Sequence, residues 1–178
     1  RGWSGSSGCW RSPVASDVGA GMTQSTASLD LSVLILSYNV RSFLALAIRT
    51  ALTACRSIDA EIIVVDNAST DGSADMVDDE FVGTESSDAP GDTATPVKLI
   101  RSPRNVGFSA GNNLGMQSAT GRYVLLLNPD VVVHRSAFEE ILAYMDEHSD
   151  VGAAGGRITN PDGTPDPRAR RGTPSPTT

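Results

Sequence analysis

A chain of 178 residues, 39% of them apolar, is long enough to bury the core of one domain. Its formal net charge of −7 excludes a general nucleic-acid binder, which needs a basic face to displace counterions. It leaves room for a single nucleotide, because a divalent cation can join an acidic protein to an acidic ligand. Cys9 and Cys55 provide neither a disulfide framework nor a metal-ligand spacing, and no run of about eighteen apolar residues marks a transmembrane helix.

Residues 1–30 are Gly- and Ser-rich at their start, with stray Trp3 and Trp10 and no apolar signal-peptide core. They are expected to be a disordered or non-native leader. Ser32–Ser37 is a continuous apolar run, the pattern of a strand buried on both faces. Leu44, Ile48, Leu52 and Cys55 then recur at helical spacing, which places Cys55 on an apolar helix face. Glu61–Val65 is a second buried strand. The polar run Asp66–Gly72 follows, in which Ser69 or Asp71 is placed to cap a short helix reaching about Phe81. The acidic bias from Asp71 to Asp92 reads as a solvated helix face and a loop.

Residues 83–96 have the composition of a loop. Val97–Arg101 is a third strand, Ser109 is placed to cap a helix through Ser118, and Tyr123–Leu127 is a fourth strand. Ser136 is placed to cap a helix ending near His148, and Val151–Gly155 is predicted as a short fifth strand. From 161 onward Pro, Gly, Arg and Thr predict an irregular tail. Strand–helix alternation with buried strands implies an α/β fold with a mostly parallel sheet, and 31–160 is expected to form that domain.

In such sheets ligands sit beyond the carboxyl ends of the strands. Polar clusters stand at those ends: Ser37-Tyr38-Asn39, Asp66-Asn67, Arg101 with Arg104-Asn105-Val106-Gly107, and Asn128-Pro129-Asp130. No glycine-rich phosphate loop follows the first strand, which excludes the dinucleotide fingerprint and the Walker loop there. A cation is then the natural partner of any phosphates, and Asp130 offers it a hard oxygen donor suited to Mg²⁺ or Mn²⁺. The triplet Asn160-Pro161-Asp162 repeats the same residues without a preceding apolar run and reads as a turn. Asp66 can accept a hydrogen bond from a base N–H or cap a helix. Tyr38 either packs against a base or covers the sheet end, and Asn39 either serves a ligand or caps the first helix. Two asparagines, Asn112 and Asn113, sit inside a predicted helix that tolerates them better if one has a partner. His134 and His148 stand at helix ends, and no Ser-His-Asp or Cys-His set is present.

The stretches 31–39 (LSVLILSYN), 62–73 (IIVVDNASTDGS), 104–115 (RNVGFSAGNNLG) and 121–130 (GRYVLLLNPD) together resemble family 2 glycosyltransferases of the GT-A fold. The Asn-Pro-Asp form and the tail at 162–174 are similar to the rhamnosyltransferase-like branch, with cell-wall polysaccharide biosynthesis as the setting. The resemblance implies inverting, metal-dependent transfer from a UDP- or dTDP-type sugar to a glycan or lipid-linked acceptor. It implies a nucleotide-sugar site of Ser37, Tyr38, Asn39, Asp66, Asn67, Asn105, Gly107, Asn113 and Asn128, with the metal on Asp130. Asn128 stands where many members carry the first Asp of an Asp-x-Asp site, so ribose contact rather than metal ligation is expected of it. The family's catalytic base lies beyond Thr178 in this comparison, so the chain is expected to be an N-terminal part that does not transfer sugar alone. A cytoplasmic location, with peripheral attachment at the inner membrane face through other segments, is the corresponding expectation. The alternative is a non-catalytic, metal-dependent nucleotide-binding module.

Overall fold

The computed structural model describes residues 29–83, 94–160 and 162–166. The leader through residue 28, most of the acidic loop and the tail from 167 lie outside the described residues. Four strands form one parallel sheet: β1 (Leu31–Ser37), β2 (Ala60–Asp66), β3 (Val97–Arg101) and β4 (Tyr123–Leu127), in the order β3-β2-β1-β4. Helices α1 (Arg41–Ala54), α2 (Ser73–Glu80) and α3 (Phe108–Met116) are the crossovers, and α4 (Ala137–Glu147) follows β4. The two central strands, β1 and β2, are the longest apolar runs, as a sheet covered on both faces requires.

Alternation along the strands divides the core in two. Leu31, Val33 and Ile35 of β1 and Ile62 and Val64 of β2 pack with Leu44, Ile48 and Cys55 of the α1 segment, with Met76 and Val77 of α2 and with Phe138 and Leu142 of α4. Leu34, Ile63 and Val65 face the other way, against Leu36, Ile100 and Leu114. Cys55 is wholly buried, and burial pushes its thiol up to about 12, so it serves packing and not chemistry.

Helix α3 approaches the sheet closely because Gly111 and Gly115 present no side chain to it. A Cβ at Gly111 would lie 2.5 Å from Leu36 Cδ1, and one at Gly115 would lie 1.9 Å from Leu34 Cδ1. At the amino-terminal edge of the sheet, buried Glu61 takes four hydrogen bonds from three residues. Ser32 Oγ donates to its Oε1 at 2.7 Å, Thr120 N–H and Oγ1 donate to the same oxygen at 2.8 Å each, and Lys98 Nζ reaches Oε2 at 2.6 Å. One carboxylate thereby ties β1, β2, β3 and the turn that leads into β4 together.

The expected fifth strand does not form. Val151–Gly155 is irregular, and the nearest pairing is an isolated antiparallel bridge between Thr159 and Pro165. Gly152, Ala153, Ala154 and Gly155 have too little side chain to bury and stay exposed. The turn expected at the Asn160 triplet is seen at its described residues: Asp162 lies in a turn, and Gly163 N–H donates to the Asn160 carbonyl at 2.9 Å. Helix α3 begins at Phe108 with Gly107 as its N-cap, so Ser109 lies inside the helix and does not cap it.

Candidate functional site

Parallel register sends the carboxyl ends of all four strands to one edge. Ser37 and Asp66 are register partners, Arg101 is the partner of Asp66 on the far side, and Leu127 stands beside Ile35, two residues short of Ser37. The loops carrying Asp66 and Asp130 therefore rise from the same rim, across β1 from each other.

The β1–α1 and β2–α2 loops are laced together. Asn39 N–H donates to Ser69 Oγ at 3.0 Å, Thr70 N–H donates to Asn39 Oδ1 at 2.7 Å, and Arg41 N–H donates to Asp71 Oδ2 at 3.0 Å. Asp71 Oδ1 also accepts the Ser73 N–H at 3.0 Å, so one carboxylate caps the starts of both α1 and α2. The Ser73 hydroxyl is the chief cause that holds the Asp71 carboxyl below its usual range. Asn39 consequently does not cap the first helix. It adopts φ 54°, a left-handed conformation asparagine tolerates, and spends its side-chain oxygen on the neighbouring loop.

A second clamp holds the β3–α3 loop. Buried Asn67 donates from Nδ2 to Asn105 Oδ1 at 2.9 Å and accepts the Val106 N–H at 2.9 Å. Asn105 Oδ1 also accepts the Gly107 N–H at 2.9 Å, and Gly107 takes φ 82°, where a side chain would be strained. Asn67 and Asn105 thus shape the rim with the groups the sequence offered to a ligand. Of the asparagine pair in α3, Asn112 is buried and donates to the Phe108 carbonyl at 2.9 Å, while Asn113 is exposed. Arg101 turns away from the rim to pair with Asp75 and Asp78 of α2.

Three groups at the rim remain unspent. Asp66 is 3% exposed; its Oδ2 accepts the Ser69 N–H at 3.0 Å, while its Oδ1 has no partner, and neither has the buried Ser37 hydroxyl. Buried polar atoms without partners are uncommon and point to a missing ligand or water. Asp130 is exposed and its carboxylate makes no ion pair, beside Asn128 and Pro129 in a depression of about 260 Å³ that Leu36, Val40 and Phe108 help to line. Among the described residues no three His, Cys, Asp or Glu side chains gather at one point. One free carboxylate fits a hard divalent ion that takes its other ligands from phosphate and water. Tyr38 is half exposed over the end of β1.

The sequence model of the family described as "Glycosyl transferase family 2" matches residues 32–176. The chain belongs to glycosyl transferase family 2. Among curated relatives, the minor teichoic acid biosynthesis protein GgaB of Bacillus subtilis is 28% identical over 129 residues, which is 71% of this chain and 13% of GgaB. An uncharacterized glycosyltransferase of Nostoc is 33% identical over 104 residues, 58% of this chain and 29% of that protein. Among solved structures, S. aureus TarS has a TM-score of 0.54 at 20% identity, over 67% of this chain and 20% of TarS. The mannosyltransferase PcManGT of Pyrobaculum calidifontis, solved with GDP-Man and Mn²⁺, has 0.55 at 19%, over 67% of this chain and 33% of that one. The chain therefore spans well under half the length of these relatives, and the structural likenesses confirm the GT-A fold of its parallel sheet. No helix among the described residues of this family 2 chain is long and apolar enough to cross a membrane.

Sequence reasoning assigned no role to Gly111, Gly115 and Glu61, three residues that hold together the sheet and helix beneath the family 2 site. Gly111 and Gly115 had a readable signal in their four-residue spacing within a helix. Asp71 caps α2 as one of the two expected candidates, but its second bond, to the Arg41 N–H, and the role of Glu61 as a buried tie depend on partners about thirty residues or more away that no local pattern announces.

Proposed function

We propose that this chain forms the donor-binding side of an inverting, metal-dependent glycosyltransferase. It takes a UDP- or dTDP-type nucleoside-diphosphate sugar and serves transfer to a glycan or lipid-linked acceptor. The observation that carries the reading is a buried, unpartnered carboxylate oxygen on Asp66 and an exposed, unpaired carboxylate on Asp130, set on one sheet edge. The first suits a base N–H and the second suits the cation that neutralises a diphosphate.

In this reading Asp130 holds Mg²⁺ or Mn²⁺, and the ion, when bound, acts as a Lewis acid on the leaving diphosphate. Asn128 meets the ribose, Tyr38 lies against the base, and Gly107 and Asn113 border the donor from the side of α3. Asn67 and Asn105 keep that border in place, and the Asn39–Ser69 lacing fixes the distance between the first two loops. A rim fixed before the donor arrives loses less freedom on binding. Family membership and the donor named in the PcManGT structure support a nucleotide sugar with a divalent ion. The name of GgaB supports cell-wall polysaccharide synthesis as the setting.

Calorimetry with UDP- and dTDP-sugars, with and without Mn²⁺, tests the reading. Binding is expected with Mn²⁺, and Asp130→Ala is expected to remove the metal-dependent part of it. Binding that ignores both the metal and the substitution would refute Asp130 as the metal ligand.

A further inference from the structure

A second cavity is built from residues that take no part in the donor site. It measures about 630 Å³ and opens between helix α4 and the irregular segment 151–157. Ala137, Glu140, Ile141 and Tyr144 recur at helical spacing, so they stand on one face of α4 and form one wall. Residues 153–157 form the other. None of these residues borders the depression beside Asp130. Small-molecule sites commonly measure about 300–1,000 Å³, so a short organic ligand fits the space.

Its polar groups are of both kinds. Ser136 Oγ donates to Glu140 Oε1 at 2.6 Å, which fixes the carboxylate and leaves Oε2 to accept. His148 stacks on the Tyr144 ring at 4.1 Å between centroids, which fixes a ring that stays 45% exposed. Arg157 is exposed and has no ion pair among the described residues, so its guanidinium is left to donate. The backbone N–H and C=O groups of 153–157 have no backbone partner among the described residues either. Between these groups lie the apolar side chains of Ala137, Ile141 and Val151. A free anion would meet the Glu140 carboxylate, and an apolar molecule would cover the charged and peptide groups without pairing them, which is costly. A sugar ring meets both demands. Each hydroxyl donates and accepts, and the C–H face of the ring lies on apolar side chains or an aromatic ring. We propose that this cavity is a saccharide-binding site, separate from the donor rim, that takes a neutral oligosaccharide. It holds a glycan by binding alone, and no bond is made or broken there. The site goes beyond the donor reading, because no residue of it serves the nucleotide or the metal.

Titration of the ¹⁵N-labelled chain with maltose, cellobiose and N,N′-diacetylchitobiose, followed by NMR, reads binding even at millimolar affinity. At least one disaccharide is expected to shift the amides of Tyr144, Gly155 and Gly156 and to leave those of Gly107 and Asn128 in place. Arg157→Ala is expected to weaken that binding by about fivefold or more. Its side chain is exposed and unpaired, so the rest of the spectrum should stay as it was. Tyr144→Ala is expected to abolish binding and Tyr144→Phe, which keeps the ring, to restore it. No shift with any of the three sugars overturns the proposal, as do shifts confined to Gly107 and Asn128. A tetra-alanine peptide that moves the Gly155 and Gly156 amides when no sugar does would assign the cavity to an extended peptide and overturn it too. UDP with Mg²⁺ is expected to move the Gly107 and Asn128 amides instead. Failure of UDP beside a sugar response removes the donor reading and leaves the saccharide site standing, and the reverse result removes only the saccharide site.

Discussion

Asn67 shows how a residue at the rim works through its neighbours. Its amide satisfies Asn105 and the Val106 N–H, and Asn105 in turn satisfies the Gly107 N–H, so one buried side chain fixes three consecutive loop residues. Asn67→Ala leaves those groups to find water in a partly buried place, which costs about 1–3 kcal/mol. Urea unfolding is expected to show that loss, and donor affinity is expected to fall with it because the border from 105 to 107 loosens. Asp130→Ala should behave oppositely. An exposed carboxylate without an ion pair contributes little to folding, so its midpoint should match the unmodified chain while metal-dependent binding goes. The contrast separates a residue that shapes the rim from one that meets the ligand.

Helix α3 is held against the sheet by the absence of two side chains. At Gly115 an added methyl would meet Leu34 Cδ1 at 1.9 Å, with Leu34 Cγ and Val65 Cγ2 at 3.0 Å, and Leu34 is wholly buried with no room to move. Gly115→Ala gains helix propensity but forces α3 outward, and a net loss of about 1–3 kcal/mol is expected from overpacking. Circular dichroism melts of the two proteins measure it; an unchanged or raised midpoint would show that the close approach is not needed.

The strands bring a second test, through acid. Burial pushes the Glu61 carboxyl up, but hydrogen bonds from Lys98, Ser32 and Thr120 outweigh it and lower the group from 4.5 to about 2. A folded-state value below the unfolded one stabilises the fold above pH 4.5, and that contribution fades as pH falls toward 2. Comparison of the unmodified chain with Glu61→Gln should therefore give a gap in unfolding free energy of about 3 kcal/mol at pH 7. The gap should narrow steadily once the pH drops below 4.5.

The strands and helices were legible in the sequence because burial writes them as apolar runs and helical spacing over five to ten residues. The rim was legible as a set of polar strand ends, since parallel register carries every carboxyl end to one edge. What each polar residue does there was less legible. Asp71 keeps its expected place at the start of α2 and also takes the role at α1 expected of Asn39, because the Arg41 N–H is reached from the next loop while the Asn39 side chain holds that loop at Thr70. The fifth strand was misread because Val151 begins an apolar-looking run whose alanines and glycines have almost nothing to bury.

At the scale of the molecule, the two edges of the sheet are built differently. Edge strand β3 carries Lys98 and Arg101, charges that discourage further pairing. Edge strand β4 is Tyr-Val-Leu-Leu-Leu, with no charge or proline inside it, and Val124 and Leu126 are 43% and 50% exposed. Among the described residues no strand pairs with the outer side of β4, and an uncharged, half-exposed edge of that kind is a template for another strand. In the isolated 178-residue chain a second copy is the strand at hand, and two-fold pairing of β4 with itself would satisfy both edges at once. Sedimentation velocity over a concentration series is expected to show reversible self-association. Leu126→Lys should suppress it by placing like charges near each other across the pair, while leaving the far-ultraviolet spectrum unchanged because Leu126 is not part of either buried cluster. Lys98→Leu is the matching control. If charge is what guards the β3 edge, removing it should add association there, although Glu61 then loses its cation and some stability. A monomer at every concentration, in both the unmodified chain and Lys98→Leu, would mean that neither edge is available for pairing and that edge chemistry does not govern this chain's behaviour in solution.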